Sequence, residues 1–135
     1  MVGKPLEPLD IRLGKKFVEL LRRPKTTTAP VGLRAAAWLY MEGKDDWRLC
    51  LVSQLVDSES TIYAGLVIFD AMLQHDEFNT LQRRVEIVGR RDRHAKWLRN
   101  LAPIGRANSL GDLRIDTSPA EEGIWAAYIY LSLEY

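Results

Sequence analysis

The sequence predicts a single α+β domain with a mixed sheet of about five strands and helices mainly on one face. Three observations predict it. The chain has 135 residues, a common size for one domain. Its hydrophobic fraction of 47% and charged fraction of 27% are those of a globular chain that buries a core without staples. Apolar residues recur with helical spacing in some stretches and alternate in others, in the order α-β-β-α-β-α-β-β.

Residues 1–9 carry Pro5 and Pro8 and read as an extended arm of the same domain. Asp10 is suited to cap the first helix, because its carboxylate can accept from the orphan N–H groups of a first turn. Leu13, Phe17, Leu20 and Leu21 then mark one apolar helical face. Arg22, Arg23 and Lys25 favour the carboxyl end of the dipole, and Pro24 and Thr26 to Thr28 stop the helix.

Residues 31–41 and 47–56 read as a hairpin joined by Glu42-Gly43-Lys44-Asp45-Asp46. The alanine run within the first strand also suits a helix. Trp38, Tyr40, Trp47 and Val52, with the short loop, favour strands. Asp57 to Ser60 is a cluster of capping residues. The helix behind it presents an apolar face of Ile62, Leu66, Phe69 and Leu73, widened by Tyr63, Val67 and Met72, and ends between His75 and Phe78. Residues 85–88 form a short strand ended by Gly89. Asp92 caps a third helix with Ala95, Leu98 and Leu101 inward, stopped by Pro103 and Gly105. A strand is expected from Leu113 to Thr117 and a turn over 118–123. Residues 124–133 carry no charge, which suits a strand covered on both faces and central in its sheet.

No catalytic motif is present: there is no P-loop, GxGxxG, GxSxG or HExxH. The only cysteine, Cys50, cannot form an internal disulfide, and with two histidines a conventional zinc cluster is excluded. No cofactor is expected. Cys50 sits among apolar strand residues and reads as a structural thiol. His75 stands beside Asp76 and Glu77, but helix neighbours in sequence do not face one another. His94 lies between arginines at a helix start. Trp38, Tyr40, Trp47, Trp125, Tyr128 and Tyr130 read as core or cross-strand partners. No stretch approaches the length of an apolar membrane span, and the N-terminus has no signal-like apolar run. The expectation is a cytoplasmic protein without membrane association.

The net charge is +1, yet the charges are segregated along the chain. Residues 83–100 balance to +5, residues 4–25 to +4 and the remainder to −8. Arg90, Arg91, Arg93, Lys96 and Arg99 lie at a predicted strand-to-helix junction, where free N–H groups and arginines suit an anion. They are the candidate anion- or nucleic-acid-binding residues. The alternative is the solvated faces of two helices, with Asp92 competing as cap.

The hairpin Trp47-Arg48-Leu49 to Leu55-Val56-Asp57, the segment Val85-Glu86-Ile87-Val88-Gly89 and the closing Ala127-Tyr128-Ile129-Tyr130 resemble features of small bacterial α+β proteins of unknown function. The resemblance spans residues 35–131. It implies a prokaryotic, cytoplasmic origin and assigns no site.

The leading functional expectation is a non-enzymatic binding or accessory module that engages a protein partner or self-associates. A near-neutral chain is a poor general ligand for nucleic acid. Nucleic-acid binding through residues 83–99 is the second expectation. The third is an enzyme whose site is dispersed over residues such as Glu86, Arg90, His94 and Asp116.

Overall fold

The computed structural model of the chain describes residues 5–22, 31–105 and 113–132. The elements are α1 (Pro8–Arg22), β1 (Leu33–Met41), β2 (Arg48–Ser53), α2 (Gln54–Ser58), α3 (Thr61–Leu73), a 3₁₀ turn (Asp76–Leu81), β3 (Val85–Val88), α4 (Arg93–Gly105), β4 (Leu113–Glu121) and β5 (Ile124–Ser132). The strands form one mixed sheet in the order β3-β2-β1-β5-β4. All neighbours are antiparallel except β2 and β3, which run parallel across the α2–α3 crossover. The predicted α+β class and the uncharged interior strand β5 are both borne out, although β1 is the middle strand.

Strand alternation gives the sheet two apolar faces. One carries Ala36, Trp38, Leu49, Leu51 and Tyr130 against Leu13, Phe17, Val18 and Leu21 of α1, Ile68 and Met72 of α3, and Phe78 and Leu81 of the 3₁₀ turn. The other carries Ala35, Ala37, Leu39, Cys50, Val52 and Ile129 against Ala95, Trp97 and Leu98 of α4. The helices therefore lie mainly on one face, with α4 alone on the other.

The docking of α1 depends on Gly14. A Cβ there would stand 2.5 Å from the Tyr130 hydroxyl and 2.7 Å from the Trp38 indole nitrogen. Trp38 Nε1 donates to the Tyr130 hydroxyl at 2.9 Å, which donates to the Ile11 carbonyl. Two buried polar groups are thereby satisfied under the helix.

Several local expectations are corrected. Asp10 does not cap α1, because the helix starts at Pro8, whose fixed φ suits a first helical position. Its carboxylate instead takes two hydrogen bonds from Arg84, at 2.9 and 3.1 Å. Of the expected arm, residues 8 and 9 belong to α1, and residues 1–4 lie outside the described residues, as does the expected stop at Pro24 to Thr28. β2 ends at Ser53 rather than continuing to Val56. The Ser53 hydroxyl accepts from Leu55 N–H at 3.1 Å and donates to the Val31 carbonyl, so the chain turns into α2. The helix α3 ends at Leu73, and α4 runs through Pro103 to Gly105. The expected turn over 118–123 shrinks to Glu122 and Gly123, with φ of 51° and 78°. Positive φ at both positions marks a tight hairpin turn, and β4 extends through Pro119, which an edge strand tolerates.

The largest correction concerns α3. Of the expected inward face, Ile62, Leu66 and Leu73 are exposed, whereas Phe69 packs partly buried against the core and Met72, from its widened edge, is fully buried. The buried stripe is Ala64, Ile68 and Met72. Both stripes have helical spacing, and only packing chooses between them.

Candidate functional site

The basic junction behind β3 is built as expected but is already occupied by the chain's own carboxylates. Asp92 Oδ1 accepts from His94 N–H at 2.8 Å and from Ala95 N–H at 3.4 Å, capping α4. Asp57 accepts from the Arg90 N–H at 3.2 and 3.3 Å. Gly89 makes this approach feasible, since a Cβ there would meet Asp57 Oδ1 at 2.7 Å. A cleft of about 390 Å³ lies beyond the carboxyl ends of parallel β2 and β3, the usual ligand position of α/β sheets. Val56, Asp57, Gly89, Arg90, Arg91 and Asp92 line it. Two arginines and two aspartates line it, so its formal side-chain charges sum to zero.

Among the five candidate residues, Arg90, Arg91, Arg93 and Lys96 are exposed and Arg99 is half-buried. Arg93 and Lys96 lie on the side of α4 away from Ala95 and Leu98, and Arg99 lies at the edge of the buried side. Arg90 and Arg91 line the cleft at its start, while Arg93 lines a different one. α1, with its basic residues, packs on the other face of the sheet from α4, so among the described residues the cations of these two helices lie on opposite sides. Arg84, counted in the basic segment, is spent on Asp10 and stacks over Trp38 at 4.7 Å.

The dispersed set is only partly assembled. Glu86 and His94 share a 220 Å³ cleft with Glu42, Lys44, Arg93 and Glu122. Arg90 lines a different cleft, and Asp116 is exposed on edge strand β4. His94 Nε2 lies 3.2 Å from the Glu122 carbonyl, which ties the imidazole to the β4–β5 turn. Its Nδ1 is 3.8 Å from Asp92. Cys50 is buried, and burial, reinforced by Asp92 and Glu86, pushes its thiol far above the usual range. A thiol held neutral is a poor nucleophile. Among the described residues, no group of three or more His, Cys, Asp or Glu is placed to hold a metal ion.

The aromatic residues are structural. Trp38, Trp47 and Tyr130 are buried, Tyr40 packs on Trp47 with centroids 5.4 Å apart, and Arg114 covers Tyr128 at 5.5 Å. Trp125 is half-buried. Trp97, not singled out from sequence, is buried on α4 and donates to Glu121 at 3.0 Å. His75 is exposed beside Phe78.

The outer face of α3 remains. Ile62 is 78% exposed, Leu66 67%, Leu73 64% and Tyr63 39%, with Phe69 half-buried between them. A helix that is apolar all round is ordinarily covered all round. In this chain Ala64, Ile68 and Met72 are buried and Val67, Phe69 and Ala71 pack partly against the core, while Ile62, Leu66 and Leu73 are left exposed. The surrounding sequence is acidic: from Leu49 to Gln82 there is no lysine or arginine, but there are Asp57, Glu59, Asp70, Asp76 and Glu77. Among the described residues no helix is long and apolar enough to cross a membrane. Comparison with protein-family models, with curated proteins and with solved structures finds no match for this chain.

Proposed function

We propose that this chain is a non-enzymatic binding module that engages a protein through the outer face of α3. The observation that carries the reading is the contiguous exposure of Ile62, Leu66 and Leu73 on one helix. Single exposed apolar residues are ordinary, but a stripe of them marks an interaction surface. Burying the exposed parts of these three side chains offers on the order of 4 kcal/mol. The cleft beyond β2 and β3 supports the reading by contrast, since its two arginines are matched by two aspartates and the thiol is sealed. A reducing, cytoplasmic setting suits the lone unpaired Cys50.

The test is retention of a protein from the cells that make this chain, compared with a Leu66→Asp, Leu73→Asp variant. A bound protein lost in the variant, with circular dichroism unchanged, is the expected result. Equal retention by both chains overturns the reading. Nucleic-acid binding stays as the second reading, favoured by the joint exposure of Arg90, Arg91, Arg93 and Lys96.

A further inference from the structure

We infer that the occupant of the α3 face is an amphipathic helix of a partner protein, bearing a leucine-type stripe flanked by lysine or arginine. This rests on the reading of α3 as a protein-binding face and names the chemistry of the partner. Ile62, Leu66, Phe69 and Leu73 are spaced four, three and four residues apart. That is the alternation of a helix–helix seam, with Ile62, Leu66 and Leu73 exposed to enter gaps on a facing helix and Phe69, packed partly against the core, at its inner edge. The seam sits on a regular 13-residue helix about 20 Å long. Helix-in-groove recognition reads such anchors at this spacing.

Charge selects the partner. Glu59, Asp70 and Asp76 are exposed around the stripe, and the whole stretch from Leu49 to Gln82 lacks a cation. Lysine or arginine beside the partner's apolar stripe would complement this rim, and acidic flanks would be repelled. The same argument disfavours a second copy, which would bring one acidic rim against another. An anionic lipid surface meets the same repulsion from the rim.

The experiment titrates the full chain, by fluorescence anisotropy, into two labelled helical peptides. Both carry leucines at the four-three-four spacing; one fills its other positions with lysine and alanine, the other with glutamate and alanine. The lysine peptide is expected to bind at least about tenfold more tightly, as two or three exposed charge pairs would give. Leu66→Ser with Leu73→Ser should abolish that binding. The triple change Glu59→Lys, Asp70→Lys, Asp76→Lys should reverse the preference while leaving the apolar seam in place. Equal, stripe-dependent binding of both peptides overturns the basic-partner inference and leaves the protein-binding reading standing. Stripe-dependent dimerisation in sedimentation, without peptide binding, overturns the inference in favour of a second copy. Binding of the lysine peptide unchanged by the serine variant removes the α3 face from both readings. Stripe-dependent binding to phosphatidylglycerol vesicles, without peptide binding, likewise overturns both.

Discussion

Replacing Gly14 with alanine sets a methyl carbon 2.5 Å from the Tyr130 hydroxyl. Neither Tyr130 nor Trp38 can give way easily, because both are fully buried and bonded to each other. Gly14→Ala should therefore lower stability by roughly 1–3 kcal/mol despite the better helix propensity of alanine. A denaturant midpoint unchanged or raised would refute this account of how α1 docks. Cys50 makes a second prediction at this scale. The unfolded thiol ionises above about pH 9, whereas the folded thiol keeps its proton. The unfolded state then binds fewer protons, so stability falls as pH rises there, by up to about 1.4 kcal/mol per pH unit from this group. A Cys50→Ala variant should show a shallower decline above pH 9, and identical slopes would contradict it. These two residues differ in how legible they are from sequence. Cys50 announces its burial through Leu49 and Leu51, its strand neighbours. The demand on Gly14 comes from Tyr130, far away in the chain, and no local pattern records it.

At the scale of elements, most helices and strands are legible because their apolar periodicity is unambiguous. The capping by Ser60 and Asp92 and the uncharged β5 each point to one structure, while β1, whose alanine run also suits a helix, is decided by Trp38, Tyr40 and the short loop to β2. Boundaries go astray where a single side chain redirects the backbone, as Ser53 does at the end of β2 and Glu122-Gly123 does after β4. The helix α3 fails differently. Its stripe of Ile62, Leu66, Phe69 and Leu73 is more apolar by side-chain size than Ala64, Ile68 and Met72, yet the second is the one buried. The two stripes are centred roughly 130° apart at 3.6 residues per turn. Sequence periodicity cannot rank them, because a face kept for a partner looks like a face kept for the core. Leu66→Ser and Leu73→Ser should each change stability by less than about 0.5 kcal/mol. Ile68→Ala and Met72→Ala should each cost about 2–5 kcal/mol. Chemical denaturation of the four variants checks the assignment, and a reversed order would place the wrong stripe inward.

Across the whole molecule, the sheet decides what the segregated charge can do. In sequence, residues 4–25 and 83–100 are two basic stretches in a near-neutral chain. In the fold, α1 and α4 sit on opposite faces of the sheet, and Arg84 is drawn to Asp10 rather than to solvent. On the α4 side lie Arg90, Arg91, Arg93, Lys96 and the half-buried Arg99, with Asp57 and Asp92 already at the junction. A duplex laid there would meet about five cations, which bounds the salt slope near −4.5 and makes binding weak at physiological salt. The expected outcome is no gel shift of a duplex at about 150 mM salt. Any complex seen at about 50 mM should disappear in an Arg90→Ala, Arg91→Ala double variant and weaken equally for all sequences, because phosphate contacts carry no sequence information. The same double variant should keep its fold, since exposed charges contribute under about 1 kcal/mol each. A complex that persists at 150 mM and is lost in the double variant would shift the function from the acidic, apolar face of α3 to the basic face of α4.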